Sequence, residues 1–458
     1  MVFRDAEIQL KQWYRSTQRK PMVLRGARQV GKSTLVRQFA AYNELTVAEI
    51  NLERHLYLNA VFKTLDLGRI IYELEAVAEQ KINTDHTILF LDEIQSTPYA
   101  IQALRYFYED RPHLPVIGAG SLLEFALADH HFSMPVGRIT YYHLGPLTFK
   151  EFLSAVSPGL VDYLTAFTLG DEIPLAAHKK LLNHQREYLF VGGMPEAVQI
   201  FVDEGSLTEV TEVQRSIADT YQDDFAKYAK QKDLVLLQQV FRTIPRGLGK
   251  KVKYSNIVRE EPAIKVKNVI ELLTKARICH QIFHSHCTGI PLFADINSNA
   301  YKLLFMDVGM ANHICGNDWL FLESIGNRGL INEGGLAEQF VGQHLLHPRQ
   351  AQHLCCWLRE GKSSNAEVDY VISRGNLIVP IEVKGGKSGA LKSLQQFVFR
   401  KRVGMAVRFD LNPPSVQNVQ NVIRTKEGNR EVKYTLISLP LYMAGELPRI
   451  LDAWRGAQ

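Results

Sequence analysis

The sequence predicts an α/β chain built in parts: a helix-covered parallel sheet first, then a mostly helical middle ending in a winged-helix order, then a further α/β unit. Three observations predict this. Short, continuously apolar strands alternate with helical patterns up to residue 120, as in a parallel sheet buried on both faces. From about 148 to 240 apolar residues recur at helical spacing, and after 326 strands and helices alternate again. The 458 residues, 46% of them hydrophobic, are enough for two or three separate cores.

Taken in order, residues 5 to 18 predict a short amphipathic helix, followed by the apolar strand PMVLR (21 to 25), a glycine-bounded loop and the helix KSTLVRQFAAY. LTVAEINL (45 to 52), TILFLDE (87 to 93) and LPVIGAG (114 to 120) supply further strands, so an α/β core is expected over 1–155. A helical, lid-like region spans 156–231 and is broken at YLFVGGMPEAV (188 to 198) by Gly192, Gly193 and Pro195. Residues 232–290 run helix, basic loop, helix, longer helix and strand, the order of a winged helix-turn-helix. Residues 291–325 read as connecting strands with a short helix. The last unit, 326–458, opens on the helix LAEQFVGQHLL, continues with the strands HLCCWLRE, AEVDYVIS and LIVPIEVK, and closes with the helix ALKSLQQFVFR.

The charge balance decides little: 53 basic against 48 acidic residues leave a net +5, so local charge has to be read. Five cysteines (279, 287, 315, 355 and 356) lack the spacing of a disulfide framework, and the neighbours Cys355 and Cys356 are poorly placed to bond to each other. A reducing cytoplasm is expected. The N-terminal MVFRDAEIQLKQWYRSTQRK has no apolar core of the signal-peptide kind, and no uninterrupted apolar run of about 18 residues follows, so no membrane partner is expected.

Between the first strand and its helix lies GARQVGKST: Gly26, Ala27, Arg28, Gln29, Val30, Gly31, Lys32, Ser33 and Thr34. This is the spacing GxxxxGK[ST] in the strand-to-helix context the motif requires. Glycines let successive backbone N–H groups turn toward phosphates, and the helix N-terminus adds partial positive charge. Lys32 is placed for the β- and γ-phosphates of ATP and Ser33 for Mg²⁺. The strand TILFLDE ends in Asp92, which would face the Mg²⁺, and Glu93, the candidate base for the attacking water. Ser121 closes the next strand and is either a γ-phosphate sensor or a helix cap, and Arg138 is a candidate arginine finger, supplied within the chain or by a second copy in a homo-oligomer.

These motifs resemble the AAA-superfamily ATPases. GARQVGKSTLVRQF, LFLDEIQ, AGSLLEF, GRITYYHLGPLTFKEFL, YLFVGGMPEAV and NEGGLAEQF with SSNAEVDYVI and IEVKGGK resemble, more narrowly, a widespread prokaryotic family in which such an ATPase precedes a C-terminal domain of unknown function. The resemblance covers nearly the whole chain; a second lid arginine of the kind many AAA enzymes use is not evident.

A second constellation lies near the end. Asp369 stands in AEVDYVI, Glu382 and Lys384 stand in PIEVK on one face of a strand, and Glu338 lies on the preceding helix. Paired carboxylates with a lysine beside them hold Mg²⁺ and position a water against a phosphodiester. The pattern resembles the PD-(D/E)xK nucleases, which would make Asp369 and Glu382 metal ligands, Lys384 the water-positioning cation and Glu338 an auxiliary acid. Val368 stands where that pattern usually carries proline. The alternative is a related fold that binds without cutting.

Arg242, Arg246, Lys250, Lys251 and Lys253 follow one another without an acid between them, and Lys265 and Lys267 come next, consistent either with a DNA backbone contact or with a solvated loop. Cys279, His280, His284, His286 and Cys287 fit no common zinc spacing and read as a β-hairpin. Asp223 and Asp224 read as a solvated helix face, and Asp307 as a turn former at a strand end. The sequence thus points to an ATP-hydrolysing protein acting on DNA with a Mg²⁺-dependent nuclease domain. The competing reading is a nucleotide switch whose last domain only docks DNA or a protein, and a third keeps ATP hydrolysis without nucleic acid.

Overall fold

A computed structural model describes residues 2–82, 86–120, 137–228, 231–317, 333–346, 354–359, 366–386, 389–425 and 428–456. The chain divides into two compact units, one of residues 3–145 with 272–278 and the other essentially of 146–271 with 279–458. None of the described helices is long and apolar enough to cross a membrane, and all five cysteines are free thiols.

The first unit is a wholly parallel five-stranded sheet. Its strands are β1 (Met22–Arg25), β2 (Thr46–Asn51), β3 (Thr87–Asp92), β4 (Val116–Ala119) and β5 (Thr140–His143), in the order β2-β3-β4-β1-β5. Its helices include α1 (Ala6–Arg15), α2 (Lys32–Tyr42), α3 (Leu58–Phe62), α4 (Leu67–Ala78) and α5 (Pro98–Asp110). β3 is buried through Thr87, Ile88, Leu89, Phe90 and Leu91, which explains its unbroken apolar run. One core joins Val23, Ile50 and Leu89 from the strands to Ile70, Leu74, Leu104 and Phe107 from the helices. Because β4 is inserted between β1 and β3, the carboxyl ends of the central strands converge where the chain changes direction, the usual place for a ligand in an open α/β sheet.

The second unit begins with helices α6 (Phe149–Val156), α7 (Leu175–Val191), α8 (Pro195–Glu204), α9 (Leu207–Tyr228) and α10 (Gln231–Thr243). A short turn of helix at Tyr254–Ile257 and α11 (Ala263–Lys275) lead into the hairpin β6 (Cys279–Ser285) and β7 (Ile296–Phe305). After α12 (Val308–Ile314) and α13 (Glu333–Leu345) come β8 (Cys355–Leu358), β9 (Glu367–Arg374), β10 (Leu377–Val383) and α14 (Lys392–Lys401). The unit does not close on α14, as the sequence led us to expect. It continues through β11 (Met405–Asp410), β12 (Ser415–Thr425), β13 (Gly428–Pro440) and α15 (Leu447–Gly456). All eight strands form one mixed sheet, β12-β13-β11-β10-β9-β8-β6-β7. β6 pairs with β8 in parallel, so the strands of the middle segment and those of the last segment share one sheet.

The YLFVGGMPEAV break has a physical origin. Gly192 ends α7 at φ 72°, and a Cβ there would stand 2.1 Å from Asp307 Oδ1. Gly193 donates its N–H to Asp307 Oδ2 at 2.7 Å, while the other carboxylate oxygen accepts from Met310 N at 2.9 Å and so caps α12. Asp307 is therefore a buried staple between two elements as well as the turn residue its position suggested.

Candidate functional site

In the first unit, the loop after β1 adopts left-handed backbone at Gln29 (φ 60°) and Gly31 (φ 87°), and Gly31 leads directly into α2. A Cβ on Gly26 would meet the Leu144 carbonyl oxygen at 2.1 Å, so only glycine fits there. Ser33 Oγ donates to Asp92 Oδ2 at 2.8 Å, joining the start of α2 to the end of β3 although β4 lies between their strands. Lys32 Nζ turns back onto the loop, donating to the Ala27 carbonyl at 2.9 Å and the Gly26 carbonyl at 3.2 Å. Its ammonium thus rests at the centre of the loop that would wrap the phosphates.

Glu93 takes left-handed backbone at φ 51°, which turns its side chain out of the strand direction. Its carboxylate accepts from Gln95 Nε2, and its N–H donates to Asp92 Oδ1 at 3.0 Å. Burial pushes the Glu93 carboxyl above the usual range; the Gln95 hydrogen bond opposes that rise and the neighbouring Asp92 charge adds to it. Gln95 in turn fixes Gly120, whose Cβ would lie 2.2 Å from Gln95 Oε1. The sequence reading missed Gln95, although its place two residues after Glu93 was a usable signal.

Arg138 is on the surface, bonded to Glu109 Oε1 at 2.9 Å and lying over the Tyr108 ring. Ser121 lies outside the described residues. The Ser33 hydroxyl beside the Asp92 carboxylate is the donor set a Mg²⁺–nucleotide needs, and the Lys32 ammonium on an N–H-rich loop suits its phosphates. Residues present and group implied are in accord here.

One comparison with known proteins bears on this unit. Residues 18–153 match the family model described as an AAA domain. The first unit carries an AAA-type ATP-binding domain. Residues 182–320 and 333–442 match two models described as domains of unknown function, DUF8612 and DUF4143. No curated protein matches the chain. Among matching solved structures is C. elegans PCH-2, at a TM-score of 0.26 and 12% identity, over 44% of this chain and 62% of that one. The aligned part thus spans less than two thirds of PCH-2.

In the second unit the structure brings Glu338, Asp369, Glu382 and Lys384 together and adds two residues, Glu367 and Lys302. Glu367 and Asp369 share a face of β9 by strand alternation, while Glu338 projects from α13. Single oxygens of Glu338, Glu367 and Asp369 lie within 4.8 Å of one another, a spacing that suits a hard cation. The cation there is an ammonium. Lys302 Nζ, 2% exposed, lies 3.0 Å from Glu338 Oε2 and 3.4 Å from Asp369 Oδ1, and pairs with Glu367 Oε1. A divalent ion on those three oxygens would need the space that the ammonium holds, so these residues as arranged fit lysine and not Mg²⁺.

Glu382, assigned with Asp369 as a metal ligand from sequence, pairs with Lys384 Nζ at 2.6 Å, and its other oxygen is buried without a hydrogen bond among the described residues. Asp369 Oδ2 accepts the Val383 N–H at 2.8 Å, which ties β9 to the end of β10. Burial pushes Glu338 up to about 8 and Glu382 up to about 7, and the Asp369 charge adds to both. Lys302 rises well above its ordinary range because the surrounding carboxylates outweigh its burial.

The basic loop lies next to this cluster. Gly249, at φ 73°, brings its Cα so close that a Cβ would meet Glu338 Oε1 at 2.9 Å, and Lys251 bridges to Lys302 on β7. Arg246, Lys250, Lys251 and Lys253 line a cleft of about 200 Å³, and none of the described residues that line it is acidic. Arg242 is held away by Gln222 Oε1 at 2.9 Å, Lys265 pairs with Glu261 just before its helix, and Lys267 pairs with Glu271 on the same helix. The cysteine and histidine residues at 279–287 form the expected hairpin, with His284 Nδ1 accepting the Leu358 N–H at 3.2 Å.

Proposed function

We propose that this chain is an ATP-hydrolysing AAA-type switch whose second unit, in its winged-helix and nuclease-like segments, binds DNA, with nucleotide state setting how that unit meets its ligand. ATP hydrolysis is supported by one juxtaposition: Ser33 and Asp92 joined at 2.8 Å with Glu93 held beside them. Bound Mg²⁺ would neutralise phosphate charge. Ser33 and Asp92 would hold it, Lys32 would leave the Gly26 and Ala27 carbonyls for phosphate oxygens, and Glu93 would orient a water and take its proton. DNA binding is supported by the cleft of Arg246, Lys250, Lys251 and Lys253, with no acid among its described lining residues, which suits a run of phosphates.

The Lys302 ammonium among Glu338, Glu367 and Asp369 favours binding without cleavage. A Mg²⁺-dependent nuclease is the second reading, supported by Asp369, Glu382 and Lys384 lying together at the ends of β9 and β10. The deciding experiment is cleavage of plasmid and single-stranded DNA with Mg²⁺ or Mn²⁺, with and without ATP, by wild type, Lys32→Ala and Asp369→Asn. The expected result is ATP hydrolysis lost in Lys32→Ala and DNA bound but uncut. Cleavage that disappears in Asp369→Asn would replace the switch by a nuclease.

A further inference from the structure

We infer that Lys302 is the resident cation of the second unit's carboxylate cluster, holding Glu338, Glu367 and Asp369 together in place of a divalent metal. The inference deepens the non-cleaving reading and rests on it only for the nature of the ligand. An ammonium has three N–H donors, and Lys302 faces three carboxylates, so its hydrogen-bonding capacity matches its surroundings. A hydrated Mg²⁺ demands six oxygens at about 2.1 Å and keeps several waters, a shell for which a buried ammonium on the same oxygens leaves no space.

The lysine is delivered by a fixed strand. Gln339, itself fully buried, both accepts from Phe305 N and donates to Phe305 O at 2.8 Å, which locks β7 to the helix that carries Glu338. On the other side of Lys302, Val252 N donates to the Tyr301 carbonyl at 2.9 Å. The backbone is held on both sides and the side chain itself is 2% exposed, so Nζ has little open space into which to withdraw. Lys384 balances the fourth carboxylate, Glu382, in the same way. The unit thus supplies internal ammoniums where carboxylates so spaced could otherwise recruit ions. Its phosphate-facing cleft then binds nucleic acid with no requirement for divalent cations.

The test uses the full chain without nucleotide and reads Mn²⁺ binding by calorimetry or by loss of the free-ion EPR signal. Wild type and Asp369→Asn are expected to give superimposable isotherms, and Lys302→Met is expected to gain one Mn²⁺ site that Lys302→Met combined with Asp369→Asn loses again. An Asp369-dependent Mn²⁺ site in wild type overturns the inference, as does a folded Lys302→Met that gains none. Should Lys302→Met fail to fold, the comparison of wild type with Asp369→Asn still decides. DNA binding measured in EDTA separates the two readings: its absence at all salt concentrations removes the DNA ligand but leaves the Mn²⁺ result standing.

Discussion

Gly120 has no room for a side chain because Gln95 Oε1 occupies the space beside it, and the same amide donates to the Glu93 carboxylate. Gln95 is thus a positioning residue for the candidate base. Gly120→Ala should fold, since the obstructing atom ends a flexible side chain, yet it should displace Gln95 and lower kcat for ATP hydrolysis by about tenfold with KM unchanged. Glu93→Gln should lower kcat by about a hundredfold or more while ATP binding persists. Steady-state hydrolysis with a separate nucleotide-binding assay checks both; a rise in KM alone would show that Gln95 shapes the pocket and not the base. Asp307 makes a different prediction. Burial pushes its carboxyl up to about 6 against the pull of the Gly193 and Met310 N–H groups. From the ordinary aspartate range up to about 6 the folded chain keeps a proton that the unfolded chain releases. That contribution is therefore fully present below the unfolded pKa, declines as pH rises to about 6 and is flat above it. Asp307→Asn cannot accept from both N–H groups, so it should cost about 1–3 kcal/mol and flatten this part of the profile, measured as urea midpoint against pH.

At the scale of elements, the basic loop is placed by β7 and by the Gly249 approach to Glu338. If Lys250 and Lys253 each neutralise one DNA phosphate, Lys250→Ala and Lys253→Ala should each reduce the slope of log affinity against log salt by about 1. Fluorescence anisotropy across a salt series reads this directly, and an unchanged slope in both variants would return the loop to a solvated face. The contrast between the two sites shows what a sequence makes legible. The phosphate loop and the end of β3 were readable because fixed spacing and a continuous apolar run are local. Glu382 and Lys384 were readable for the same reason, by alternation along a strand. Lys302 was not, because it lies 67 residues before Asp369 and β6 and β8 stand between their two strands in the sheet. Its one local signal is a single charge inside the buried run AYKLLF. Glu367 was one alternation step from Asp369 and was overlooked. β12 escaped notice because it is an edge strand whose residues are largely exposed, so it lacks the apolar period that marks a buried strand.

At the scale of the whole molecule, the chain joins an ATP-binding unit to one in which acidic and basic groups are already paired. A nucleotide can bias that second unit only through a difference in its affinity for two states of the chain. If ATP alters DNA affinity by tenfold, the coupling is about 1.4 kcal/mol, and DNA must alter ATP affinity by the same factor in the same direction. The expected outcome is a severalfold to tenfold change in DNA Kd between the ATP-bound and nucleotide-free full chain, abolished in Lys32→Ala. Glu93→Gln separates binding from turnover: because it retains ATP, it should hold DNA affinity at the ATP-bound value when wild type, having hydrolysed its ATP, has moved away from it. Equal DNA affinities in all three proteins at every nucleotide state would mean that the two units act independently, and the switch would then have no output through DNA.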